Sequence, residues 1–218
     1  MKRSELQKLA MLSLLVALTV VLQLFATLLP VKVFGASLSF SLVPIVVAAC
    51  FYGIPGAAIV GGSFGMVVFI TGLTGIEPLG ATCIMISPVL AFIAIVVRAV
   101  AASVLVALIF KGCVILFQKS KTLKSYDRKL SYVVAAVFAP VLNTGIFLLT
   151  FVPAFGRENA MLDQLAQWEI DGIGAFITGI VIINFIAEII TTILIAPSVC
   201  ITTETVMNRR NSKAKKSQ

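Results

Sequence analysis

Residues 87–110 read SPVLAFIAIVVRAVAASVLVALIF. Apart from Ser87, Pro88, Ser103 and Arg98, every side chain in the stretch is apolar or alanine. A helix over a soluble core keeps one polar face. This segment has none, and as a helix of 24 residues it would rise ~36 Å, enough to cross a hydrocarbon layer of about 30 Å. The reading is therefore a membrane span. Arg98 then needs an explanation. Its guanidinium does not lose its proton in proteins, and a charge at the bilayer centre costs at least about 2.5–3.5 kcal/mol on insertion scales.

The rest of the chain has the same pattern. Of its 218 residues 60% are hydrophobic and 12% charged, with a mean hydropathy of +1.10; a soluble domain carries roughly 25% charged residues. Apolar segments fall at 8–29, 41–53, 56–73, 88–117, 130–153 and 173–203. The second contains Pro44 and stops at Gly53-Ile54-Pro55; its ~13 residues rise only ~20 Å and cannot cross alone. The expected fold is an all-α integral membrane protein, a six-helix transmembrane bundle with a short second helix, formed by residues 1–204. Residues 205–218 are expected to be a basic, disordered cytoplasmic tail. The first segment lacks a small-residue cleavage pattern and is read as a span rather than a cleaved signal.

The formal charge of +8 is placed as a topology signal. Lys2, Arg3 and Lys8 precede the first segment. Lys111, Lys119, Lys121, Lys124, Arg128 and Lys129 surround the 111–129 connection, and Arg209, Arg210, Lys213, Lys215 and Lys216 lie in the tail. The 155–172 connection carries Glu158, Asp163, Glu169 and Asp171 against Arg157 alone. Six crossings with both termini in the cytoplasm put every basic region inside, which leaves no call for nucleic acid as a partner. No histidine is present, so Ser-His, Cys-His and HExxH chemistries are excluded. Cys50, Cys83, Cys113 and Cys200 form no CxxC pair and read as inert thiols; no metal site, cofactor or enzymatic activity is expected.

Counting from the helix ends places the intramembrane polar groups. Arg98 is 13 residues before Lys111, and Asn143 is 13 residues after Leu130, so both lie ~20 Å above the cytoplasmic end. Glu188 is 16 residues before Glu204, ~24 Å up, and Asn184 is one turn further out on the same face. These four residues from three helices share one layer. In one arrangement Arg98 pairs with Glu188 and the asparagines hold helices together. In the other the four form a ligand pocket: Arg98 clamps a carboxylate or phosphate, while Asn143, Asn184 and Glu188 meet amides and hydroxyls. Intramembrane ionisable residues favour the pocket.

Smaller signals surround that layer. Ala57, Gly61 and Gly65 make a small-xxx-small stripe, read as helix packing. Ala10, Ser13 and Ala17 line one face of the first helix, either for packing within the fold or for docking another membrane subunit. Trp168 reads as an interface anchor or, less readily, a lid. Lys32, in the outer loop PVKVFGAS, reads as a solvated charge or an anion-steering one.

Together these features resemble the substrate-binding S components of energy-coupling factor (ECF) transporters, over nearly the whole chain. The start AMLSLLVALTVVLQLF resembles the family's first helix, with its small-residue face here at Ser13 and Ala17, extended by Ala10. The stretch LSFSLVPIVVAACFYGIPGAAIVGGSFG is similar to a short proline-containing second helix, Gly-x-Pro-Gly and a glycine-rich third helix. APVLNTGIFLL resembles the Asn-Thr signature of the fifth helix, and NFIAEIITTILIAP the Asn-x3-Glu of the sixth. Arg98 matches the fourth-helix arginine of a pantothenate-transporter-like subgroup, with Val97 where that subgroup has proline. The resemblance implies a multi-pass protein of the bacterial plasma membrane that binds a vitamin, pantothenate first, without a cofactor. It further implies a transmembrane coupling subunit and two cytoplasmic ATPase subunits as partners; the chain itself has no Walker A motif. The alternatives are another vitamin such as folate or riboflavin, or an autonomous secondary transporter with Glu188 as proton carrier.

Overall fold

A computed structural model describes residues 3–28, 32–33, 36–37, 40–119 and 127–216. Lys2, Lys121 and Lys124 lie outside the described residues, as do the side chains of Arg3, of Lys32 and of the basic tail from Arg210 onward. The described chain is helical but for two two-residue strands and short connecting turns. In order it forms α1 (Arg3–Leu28), β1 (Lys32–Val33) paired antiparallel with β2 (Ala36–Ser37), α2 (Leu42–Leu73) and α3 (Pro78–Ile86). Then come α4 (Pro88–Lys119), α5 (Asp127–Phe155), α6 (Asn159–Gln167) and α7, which starts at Gly172 and ends with Ile186–Lys216. The helical backbone of α7 thus runs on through the stretch expected to be a tail.

Among the described residues five helices are long and apolar enough to cross a membrane: α1, α2, α4, α5 and α7. Six apolar segments fit into five helices because α2 holds two of them. Its backbone is non-helical at Gly53, with φ 63° and ψ −152°, the left-handed half of conformational space that glycine enters freely. Leu42 and Phe64 line one small void, although a straight helix would hold them ~33 Å apart. The chain therefore folds back at Gly53 into two arms, 42–52 and 54–73. Pro55 begins the second arm, where a missing N–H costs nothing.

The glycine-rich arm fixes the neighbour that carries Arg98. A Cβ built on Gly61 would lie 2.0 Å from Ser103 Oγ and 2.9 Å from the Ala99 carbonyl; one on Gly65 would lie 2.9 Å from the Val96 Cα. Only bare backbone fits, so the Ala57/Gly61/Gly65 stripe is the seam between α2 and α4. Near the other end of the arm, Gly72 and Gly80 meet backbone to backbone, with a Cβ on either reaching the other at 3.1–3.2 Å. That contact lays short α3 over the bundle. Phe151, Phe155, Met161, Leu165 and Phe176 pack with α3 in a buried cluster at this end, and Trp168 covers its edge. All four thiols are free; Cys50, Cys83 and Cys200 are buried and Cys113 is partly exposed.

Candidate functional site

Two of the membrane helices carry a π-helical turn, and both turns sit at the polar layer. One covers Ile93–Val97 and delivers Arg98 directly after it; the other covers Ile180–Phe185, contains Asn184 and precedes Glu188 by one turn. Such a turn inserts one residue and rotates the next part of the helix by about 100° relative to an uninterrupted one. Wide turns of this kind free local carbonyls, and Arg98 uses one: its Nε donates to the Ala94 carbonyl at 2.9 Å.

The rest of the guanidinium reaches across to α5. Arg98 Nη1 donates to Asn143 Oδ1 at 2.8 Å and to the Asn143 carbonyl at 3.0 Å. Asn143 Nδ2 in turn donates to Glu188 Oε2 at 3.4 Å, and Thr144 lies against the same carboxylate. Arg98 is 8% exposed, Asn143 7% and Glu188 3%. No ion pair joins Arg98 to Glu188 directly; the Asn143 amide stands between them, acceptor toward the cation and donor toward the anion. An amide can do both at once, which is why asparagine suits that position. The Phe147 ring centroid lies 5.3 Å from Arg98 Cζ, a cation–π contact that offsets part of the desolvation.

Two polar atoms are left over, and both matter. Among the described residues Arg98 Nη2 has no hydrogen-bond partner. Asn184 Oδ1 is buried and also has none. An unmade hydrogen bond at a buried atom such as Asn184 Oδ1 costs about 1–3 kcal/mol, which a ligand donor reaching that atom would recover.

All four residues expected from the sequence line one cavity of about 90 Å³. Three polar residues join them that depth counting did not single out: Gln23, Glu77 and Thr144. Gln23 and Glu77 belong to a second polar chain. Ser41 Oγ donates to Gln23 Oε1 at 3.1 Å, Gln23 Nε2 to Thr27 Oγ1 at 3.5 Å, and Thr27 Oγ1 to Glu77 Oε2 at 3.4 Å. Phe64, Val68, Leu79 and Phe147 supply the apolar part of the wall. The cavity thus offers one guanidinium, two carboxylates and three carboxamides in an apolar frame, with α3 as its cover. Hydrogen-bond donors of a small organic molecule would meet the carboxylates and carboxamide oxygens, and an anionic group would meet a partner at the Arg98 guanidinium alone.

A model of the ECF transporter, substrate-specific component, matches residues 7–200. The chain belongs to this ECF substrate-specific component family. As a member it is a multi-pass membrane subunit that works with a small-molecule substrate in an ECF transporter complex; the family is one of transporter subunits, not of enzymes. Neither a curated protein nor a solved structure matches the chain.

The first-helix residues of this S component lie elsewhere. Ala10, Ser13 and Ala17 are exposed. They lie opposite the face of α1 that buries Thr19, Gln23, Ala26 and Thr27 against the bundle. The small-residue face is therefore not used for packing within the described chain.

Proposed function

We propose that this S component captures a vitamin from outside the cell, with pantothenate as its substrate. The observation that carries the reading is the cavity that brings Arg98, Asn143, Asn184 and Glu188 together at membrane depth, with the buried Asn184 Oδ1 unpartnered among the described residues. Pantothenate has a carboxylate for the guanidinium fork. Its two hydroxyls and amide N–H are donors, and Asn184, Glu188 and Glu77 are acceptors. Asn143 stands between Arg98 and Glu188 and keeps both oriented. The cavity of about 90 Å³ is smaller than the roughly 300–1,000 Å³ of pockets that enclose small ligands, so loading requires the α3 cover and the aromatic wall to shift outward.

We further propose six crossings, the two arms of α2 counting separately, with both termini and the 111–129 connection in the cytoplasm of a bacterial cell. The basic flanks and the fold-back at Gly53 support this. On that topology the cavity lies in the outer half of the bilayer. The exposed face of Ala10, Ser13 and Ala17 docks the transmembrane coupling subunit, whose complex includes two cytoplasmic ATPases; small side chains let a partner helix approach closely.

Mass spectrometry of small molecules released from the purified protein tests the reading. Pantothenate at near one equivalent is the expected result. Release of no small molecule at all, or of one without an anionic group, would overturn it.

A further inference from the structure

A second, open cavity lies away from the proposed vitamin site. It has a volume of about 490 Å³ and runs between the Gly53 turn of α2, the α4 face of Ala107, Lys111, Val114 and Gln118, and Arg128 of α5. From Ala107 to Gln118 the α4 face spans 11 residues, or ~16 Å. Lys111 is 13 residues beyond Arg98, so the groove occupies the opposite, basic end of the bundle, ~20 Å from the polar layer.

Its chemistry is graded along that length. Ala49, Ala107 and Phe110 are buried apolar residues at the deep end. Lys111, Gln118 and Arg128 are polar and line the shallow part. Lys111 is exposed and has no hydrogen bond or ion pair among the described residues. Arg128 is held by Glu204 at 3.2 Å, yet its side chain is 48% exposed. Gly53, Ile54 and Pro55 line the same groove, so the start of the 54–73 arm opens on it, and helix starts favour negative charge. A fully hydrated inorganic anion gains nothing from the apolar deep end. A phosphodiester attached to acyl chains matches both ends at once, at the height where a bilayer places it.

We infer that this groove holds one anionic phospholipid of the basic-side leaflet. Its phosphate lies by Lys111, Gln118 and Arg128, and its glycerol and first acyl carbons lie against Ala107 and Phe110. The site is independent of vitamin binding. Native mass spectrometry of the full chain in detergent, titrated with phosphatidylglycerol or phosphatidylcholine, reads it out. One phosphatidylglycerol should be retained, several-fold more tightly than phosphatidylcholine. Lys111→Gln should weaken retention about fivefold, the value of one basic residue near an anionic lipid surface. Lys111→Arg should preserve retention, and Lys119→Gln, which removes the same charge outside the groove, should leave it unchanged. Val114→Trp, which fills the groove without changing charge, should lower retention of both lipids. Equal retention of the two lipids would overturn the inference. So would equal effects of Lys111→Gln and Lys119→Gln, or displacement of the lipid by millimolar inorganic phosphate, which would make the groove a simple anion site. Lys111 is exposed and makes no hydrogen bond or ion pair among the described residues, so its variants test the groove without disturbing the core.

Discussion

Asn143→Ala separates structural from ligand-binding roles in the polar layer. The substitution removes the Oδ1 acceptor 2.8 Å from Arg98 Nη1 and the Nδ2 donor 3.4 Å from Glu188, while the carbonyl bond at 3.0 Å survives. Hydrogen bonds between membrane helices average about 0.6 kcal/mol and reach about 1.7 kcal/mol, and charge-assisted bonds are roughly twice as strong as neutral ones. The short bond to Arg98 is then worth ~1–2 kcal/mol and the long one to Glu188 ~0.5 kcal/mol. A total near 2 kcal/mol corresponds to a Tm lower by about 4–8 °C for a chain of this size. Asn184→Ala is the control. Its buried Oδ1 has no partner among the described residues, so stability should not fall and should rise by up to about 1–3 kcal/mol as that penalty is relieved, while ligand affinity falls. Thermal unfolding of both variants in detergent, without ligand, is the assay. If Asn143→Ala melts with the wild type, or Asn184→Ala falls as far, the assignment of Asn143 as the bridge between Arg98 and Glu188 is wrong.

Gly61→Leu should lose folded protein on size-exclusion chromatography, since even its Cβ would lie 2.0 Å from Ser103 Oγ and overpacking costs about 1–3 kcal/mol or more; Gly112→Ala, with nothing within 4 Å, should gain up to ~1 kcal/mol in helix propensity. Ser13→Trp and Ala17→Trp, on the exposed face of α1, should abolish uptake in cells while leaving ligand affinity unchanged in purified protein; loss of both would place that face inside the fold instead. Glu204→Gln breaks the half-exposed pair with Arg128 at 3.2 Å and should shift stability by less than about 1 kcal/mol in chemical denaturation.

Much of this arrangement is legible in the sequence, and the limits have physical causes. Runs of apolar residues fix where helices must lie, and counting rises from the basic ends gives a height. That is enough to put Arg98, Asn143, Asn184 and Glu188 around one cavity. Height carries no azimuth, however. A direct Arg98–Glu188 pair and an Asn143 bridge look the same to a depth count, and π turns before Arg98 and around Asn184 rotate those side chains in a way no periodicity reveals. Gln23 was within reach of the same reasoning: it is 15 residues past Lys8, ~22 Å up, a polar residue in an apolar helix. Glu77 was not. It comes from a loop and reaches the cavity only because Gly72 and Gly80 let α3 fold back over the bundle. Gly53-Ile54-Pro55 announced a break, and the left-handed φ at Gly53 turns that break into a reversal.

Calorimetric titration of pantothenate into the wild-type and Arg98→Ala proteins tests the central claim most directly. One site per chain is expected in the wild type. The variant removes a charge-assisted hydrogen bond worth about 1.5–3 kcal/mol, so its affinity should fall by at least tenfold. Absence of wild-type binding would contradict pantothenate as the substrate, and an unchanged affinity in Arg98→Ala would contradict the cavity as the site.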